Sequence, residues 1–283
     1  MDWMRLVKLP LCLLVACSAL WGYVLHSPRC DWPLLVLFCG VLLLACGAAG
    51  LNSVQEREID RLYTRTQNRP LAAGRLPVRQ TLVGSLLLTG AGLLLLARVG
   101  PNFFPFFLGI SAAILYNGVY TPLKQLSVLT LFPGGVAGAI PPLIGWTAAG
   151  GSLFEVQAWL VFTLFFLWQI PHYLLIILRH RQDFSQGTTP SLIRMIPAAR
   201  LQHIAAVWIF ASLVVALLLA QQCAIPPAAL SLAFVPMVAG MAFCGLLLLS
   251  KQTRFGPTTL YRIFNLSFFC SLLSMALHQL SLS

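Results

Sequence analysis

Charge is scarce in this chain. Only 9% of its 283 residues are Asp, Glu, Lys or Arg, and just seven are acidic. A soluble domain carries about 25% charged residues, so a water-solvated surface over most of the chain is excluded. Also missing is any C-x-x-C. The eight cysteines (Cys12, Cys17, Cys30, Cys39, Cys46, Cys223, Cys244 and Cys270) mostly stand inside apolar runs, where they read as small packing residues. No stretch alternates polar and apolar residues with a period of two, which excludes a transmembrane barrel. Aromatic side chains do not interleave with the basic ones, so the formal charge of +11 is no nucleic-acid footprint. The N-terminus lacks a clear small-residue cleavage site, and its apolar run is expected to persist as a first helix.

What remains is hydrocarbon. Hydrophobic residues make up 59% of the sequence and the mean hydropathy is +0.86, the composition of a polytopic membrane protein. Apolar runs bounded by Pro, Gly and charge predict about nine spans, at 9–25, 33–51, 81–97, 103–120, 127–149, 156–178, 203–220, 228–250 and 260–280. Backbone groups in lipid must be bonded internally, so the spans are helices and the fold class is all-α. Residues 1–283 are read as a single membrane-embedded domain.

With the N-terminus inside, the inner segments hold sixteen of the eighteen Lys and Arg residues, and the outer ones hold only Arg29 and Arg98. This bias fixes an orientation and requires an odd number of spans. It also accounts for most of the positive charge.

The stretch "LNSVQEREIDRLYTRTQNRPLAAG" holds three of the seven acidic residues. Asn52, Glu56 and Asp60 are spaced i, i+4, i+8, which places three oxygen-bearing side chains within roughly 80° on one helix face. Glu58 points elsewhere. Such a stripe suits Mg²⁺, a hard ion that accepts one or two carboxylates while bridging to substrate phosphates. Arg61, Arg65 and Arg69 follow in the same loop, and guanidinium matches phosphate oxygens in a bidentate way. The plainer alternative is a juxtamembrane helix with i,i+4 ion pairs, but ion pairs alone do not require Asn52.

Other polar residues cluster on the same inner side. Asp183, in "LRHRQDFSQG", follows the sixth span, four spans after the first acidic loop; it is either a second acid of a shared site or a solvated loop residue. Tyr120 and Lys124, in "YNGVYTPLKQ", end the fourth span, where Lys124 is a phosphate-binding point charge or a topology determinant. Deep in the sixth span, "WQIPHYLLIILRH" carries Trp168, Gln169, Pro171 and His172. A free imidazole there ligates a metal or haem iron, moves protons, or bonds a neighbouring helix carbonyl. In "PGGVAGAIPPLIGW", Gly134, Gly135 and Gly138 allow close helix approach, while Pro141 and Pro142 are expected to break the helix and free carbonyls.

Together these motifs resemble the UbiA superfamily of intramembrane prenyltransferases over nearly the whole chain. "RTQNRPLAAGRL", "AGAIPPLIGW", "PHYLLIIL" and Asp183 followed by an aromatic are similar to the branch that modifies haem. The resemblance implies a helical bundle in the bacterial plasma (inner) membrane, N-terminus cytoplasmic and C-terminus outside. It implies transfer of farnesyl from farnesyl diphosphate to a vinyl group of protohaem IX (haem b), with Mg²⁺ as cofactor, and handover of the product to haem a synthase or terminal oxidase assembly. On that resemblance Asn52, Glu56, Asp60 and Asp183 are metal ligands, Arg65, Arg69, Tyr120 and Lys124 belong to the diphosphate site, and His172 binds haem. The sequence departs from the pattern in having Glu56 and Glu58 where Asp is usual and "GTTPSL" after Asp183. Two other readings are a UbiA-type enzyme with an aromatic quinone precursor as acceptor, and a transporter with a substrate site at its Pro and Gly breaks.

The orientation is testable with topology reporters. A reporter fused after Ser283 should read as outside and one fused near Arg75 as inside; the opposite pattern defeats the assignment.

Overall fold

The structure is a computed structural model that describes residues 1–63, 66–186, 190–223, 235–250 and 256–281. Its described residues form helices and no strand. Eight helices are long and apolar enough to cross a membrane: α1 (Leu9–His26), α2 (Trp32–Gln55), α3 (Val78–Leu96), α4 (Phe104–Leu123), α5 (Val128–Ala148), α6 (Val156–Arg179), α7 (Ala198–Gln222) and α9 (Pro257–Ser281). A further apolar helix, α8 (Val235–Leu249), covers the later part of the expected span 228–250, whose first residues lie outside those described. The protein is a multi-pass integral membrane protein.

The chain divides into two compact units, Met1–Gln125 with Ile140–Ser152, and Leu126–Ala139 with Leu153–Ser283. The first unit's core joins Ala16, Ala19 and Tyr23 of α1 to Leu37 and Val41 of α2 and Ile144 of α5. The second unit's core is built from α6 (Ile170, Leu174), α7 (Leu201, Ile209), α8 (Met241) and α9 (Phe264). Lipid does not drive such helices together by hydrophobicity, so close packing of small residues has to do so. At the α1–α5 contact, a Cβ on Gly22 would run into the Pro142 carbonyl and one on Gly145 into the Ala19 carbonyl. The two backbones therefore touch.

The expected break at Pro141 and Pro142 does not occur: both lie inside a continuous helix from Leu131 to Ala148. Each proline removes one donor, which frees the carbonyls of Ala137 and Gly138. The helix nevertheless runs through both positions. Gln169 lies so close to Gly138 that a side chain there would collide with its amide, and its Nε2 donates to the Gly135 carbonyl at 3.4 Å. Pro171 is likewise held within α6.

In α4 an α-helical start (Phe104–Ala113) gives way to a π-helix over Ile114–Tyr120. Widened turns of this kind mark functional sites more often than chance. Here Asn117 Nδ2 donates to the Ala48 carbonyl of α2 at 2.9 Å, while Gln55 Nε2 donates to the Asn117 carbonyl at 2.9 Å. These bonds tie the end of α4 to the end of α2.

Gly22→Ala or Gly145→Ala should lower unfolding stability by about 1–3 kcal/mol through overpacking. Gly90→Ala, with no atom within 4 Å of the new Cβ, should leave it nearly unchanged. Thermal denaturation in detergent measures all three.

Candidate diphosphate site

At the end of α2 the acidic residues leave the span in register. Glu56 is the junction between α2 and a short helix, Arg57–Leu62, yet the i→i+4 bonds continue through it: Glu56 N–H donates to the Asn52 carbonyl and Asp60 N–H to the Glu56 carbonyl. Asn52, Glu56 and Asp60 consequently share a face, and all three are buried. Glu58 is turned to solvent, where Arg57 and Arg61 each bind it at 2.8 Å. Arg61 thus serves the outer face of this segment.

Two buried carboxylates demand compensation, because an unpaired buried charge costs several kcal/mol. Three cations from three separate segments supply it. Lys124 Nζ donates to Glu56 Oε1 at 3.0 Å. Arg69 Nη1 donates to both oxygens of Asp60 at 2.8 and 2.7 Å and lies 3.8 Å from Glu56 Oε2. Lys8 Nζ donates to Asn52 Oδ1 at 2.5 Å. The Asn52 amide is held from its other side, its Nδ2 donating to Thr121 Oγ1 at 3.1 Å while Thr121 donates to the Tyr116 carbonyl at 2.8 Å. Its Oδ1 is thereby fixed toward the cluster.

Lys8 escaped the sequence reading, which counted it among the topology determinants. It sits between the short helix Asp2–Leu6 and α1, and it alone among the described non-glycine residues has positive φ, 53°. Such left-handed backbone is unfavourable for a long side chain. Burial, and then the Arg69 charge beside it, push the Lys8 pKa down to about 8 against the partial support of Glu56. Burial also works against the charge on Glu56, but Lys124 and Lys8 outweigh it and hold the carboxyl below its ordinary value. Lys124 shows the same contest: burial opposes its charge, while Tyr120 and Glu56 beside it raise its pKa. The cluster sets buried acids against cations that reach them from partly exposed positions. Nothing in the residues near Lys8 signals the contact with Asn52, which lies 44 positions away.

Among the other expected residues, Tyr120 stacks on Tyr116, with ring centroids 5.5 Å apart, at the end of the π-helix. Arg65 lies outside the described residues. Asp183 belongs to the second unit, exposed on the short helix Arg181–Gln186, with His180 Nδ1 at 3.9 Å.

His172 also belongs to the second unit. Its Nδ1 is 2.7 Å from Asn265 Oδ1 on α9. The Trp168 ring lies 4.7 Å from the imidazole and stacks on Phe268 at 4.7 Å, and the Tyr261 ring lies 5.2 Å from the imidazole. Arg179 caps the far side of Tyr261 at 5.5 Å. Asn265 was also absent from the sequence reading, although a carboxamide within an apolar span is a signal in its own right.

The described residues thus form a helical membrane protein with buried acids paired to cations at the end of one span. The chain belongs to the UbiA prenyltransferase family, whose family model matches residues 15–275. It is 37% identical over 211 residues to "Protoheme IX farnesyltransferase" of Oleidesulfovibrio alaskensis, covering 73% of this chain and 72% of the relative. A protein of the same name from Nitratidesulfovibrio vulgaris is 32% identical over 248 residues, covering 88% and 84%. The solved structure of a UbiA homolog from Archaeoglobus fulgidus bound to GPP and Mg2+ matches with a TM-score of 0.69 over 99% of this chain and 100% of that one. At 14% identity that likeness concerns the fold.

The cluster's internal pairing is open to a mutational cycle. Arg69→Met should destabilise the protein by about 3 kcal/mol by stranding Asp60, and adding Asp60→Asn should restore most of the loss. Additive losses in a chemical or thermal unfolding series would show that the two side chains are not coupled.

Proposed function

We propose that this enzyme transfers the farnesyl group of farnesyl diphosphate to a vinyl group of protohaem IX, giving a hydroxyethylfarnesyl haem and diphosphate. The observation that carries the diphosphate half of this reading is the buried set of Asn52, Glu56 and Asp60, each already in contact with a cation. The haem half rests on the names of the relatives and on His172. Residues 1–283 act as one domain in the bacterial inner membrane, with the N-terminus cytoplasmic and the C-terminus outside. The product is passed on to haem a synthase or to oxidase assembly.

The donor set fits Mg²⁺. It offers hard oxygens only, from Asn52, Glu56 and Asp60. An ion there would take one or two carboxylates from the protein and be completed by substrate phosphates and water. Asn52, Glu56 and Asp60 would hold the ion, and the family resemblance adds Asp183 to the ligand set. When bound, Mg²⁺ neutralises charge on the leaving diphosphate, an effect worth several kcal/mol.

The chain's own residues do the rest. Arg69, Arg65, Lys124 and Lys8 bind the diphosphate oxygens, and Tyr120 lines the approach beside Lys124. As the bond from C1 of the farnesyl chain to oxygen breaks, the electron pair leaves with the diphosphate, and these cations stabilise the charge that develops there. The resulting allylic cation is attacked by a haem vinyl carbon. Water then adds to the porphyrin-stabilised cation as hydroxyl and releases one proton. His172 holds the haem iron.

Mass spectrometry of haem extracted after incubation with farnesyl diphosphate, Mg²⁺ and protohaem should show the farnesyl adduct. Glu56→Gln and Asp60→Asn should each abolish turnover, at least 100-fold, with haem binding retained. His172→Ala should change the Soret band while leaving farnesyl diphosphate affinity within about twofold. Full activity in both acid variants sinks the metal and diphosphate assignment, and an unaltered haem spectrum in His172→Ala favours a quinone-type acceptor.

A further inference from the structure

The hydrogen bonds around His172 determine which of its nitrogens is available. Asn265 Nδ2 lies 2.7 Å from the backbone carbonyl of Tyr261, and a carbonyl oxygen only accepts. Turning the carboxamide over would set two acceptor oxygens 2.7 Å apart, so the amide orientation is fixed. Oδ1 must then be the atom that faces His172, also at 2.7 Å. At that distance Oδ1 needs a donor, and the donor must be Nδ1–H. A neutral imidazole carries one N–H, which leaves Nε2 with its lone pair bare. Among the described residues the ring has no other hydrogen bond.

The ring is also held in place. Trp168, one turn earlier on α6, and Tyr261, one turn before Asn265 on α9, flank it at 4.7 and 5.2 Å, and Trp168 is itself stacked on Phe268 at an interplanar angle of 12°. Asn265 is 8% exposed, so water competes poorly for its oxygen. A histidine that served only to bond a helix carbonyl would point its N–H at backbone. This one points its N–H at a side chain that is anchored for the purpose by a second bond.

We propose that Asn265 is a positioning residue for the haem substrate. It locks His172 as the Nδ1–H tautomer, leaves the unprotonated Nε2 available as an iron ligand, and makes that nitrogen more basic by accepting from the opposite side of the ring. Ligation forms one coordinate bond from Nε2 to iron and transfers no proton or electron. The inference rests on the acceptor reading given above, but its first step concerns the free protein alone. An outer hydrogen bond of this kind typically alters metal affinity by about 10- to 100-fold when lost.

The full-length protein labelled with ¹⁵N-histidine tests it directly, the His172 ring being identified by the signals lost in His172→Ala. In the free protein Nδ1 should appear protonated and Nε2 bare; protonation at Nε2 overturns the inference. Asn265→Leu should release the tautomer and weaken binding of ferric protohaem by about 10- to 100-fold. Asn265→Asp keeps an acceptor toward Nδ1, while its second oxygen must turn away from the Tyr261 carbonyl that Nδ2 bonds in the native protein; it should retain the tautomer, bind haem within about tenfold of the native protein, and move the reduction potential of bound haem to more negative values. If Asn265→Leu does not fold, the tautomer in the native protein and the potential in Asn265→Asp still decide the matter, since an unshifted potential there overturns the inference. An unaltered Soret band in His172→Ala is a separate outcome: it removes the iron as occupant and overturns the acceptor reading itself. A Soret band that changes in His172→Ala but a native spectrum and affinity in folded Asn265→Leu overturns only the role of Asn265.

Discussion

Two carboxylates buried where a transmembrane helix ends govern the inner part of the first unit. Glu56 and Asp60 are nearly inaccessible to solvent, and charge in that position persists only with partners in contact. Their contacts are Arg69 from the loop after the acidic helix and Lys124 from the end of α4, while Lys8 from the segment before α1 binds Asn52 beside them. The pairing therefore does structural work without any ligand, because it draws three distant pieces of chain to one point. It also fixes the cations in place, Lys124 and Arg69 each beside an acid and Lys8 beside Asn52. The left-handed backbone at Lys8 and the polar chain from Asn52 through Thr121 to Tyr116 are costs accepted to hold that arrangement.

The second unit uses a different chemistry. No acid or cation lies in the contacts of the His172 ring described here; aromatic faces and one carboxamide do. Such surroundings lower the local dielectric and strengthen each polar contact.

How much of this was readable in advance depends on the distance over which each contact acts. Spacing places Asn52, Glu56 and Asp60 on one face and sets Glu58 apart, since four-residue steps are local geometry. Hydropathy finds the spans, with ends that differ by a few residues; α7, for example, begins at Ala198, because its first turns carry Arg200 and His203 and lie below the hydropathy threshold while still being helical. Lys8 was invisible because positive charge near the first span already has a sufficient explanation in topology. Asn265 was missed because its meaning depends on a histidine 93 positions away. Pro141 and Pro142 misled for the opposite reason: their local preference is real, but the helix runs through both of them. Arg65 and the residues 187–189 lie outside the described structure, and their part in the site stays a matter of sequence resemblance.

The π-helix of α4 has a further implication. Relative to a regular helix, a widened turn holds an extra residue, and everything after it is turned by roughly 100°. Thr121 and Lys124 follow the Ile114–Tyr120 stretch and both address α2, one through Asn52 and the other through Glu56. Their aim is therefore set by how many residues precede them, not by which residues those are. A relative with identical side chains but one residue fewer in this stretch would relax to an ordinary helix and swing both groups to another face, with its hydropathy and its motifs intact. For this part of the enzyme, the informative evolutionary event is a single-residue insertion or deletion, a change of phase that a comparison of residue identities alone does not register.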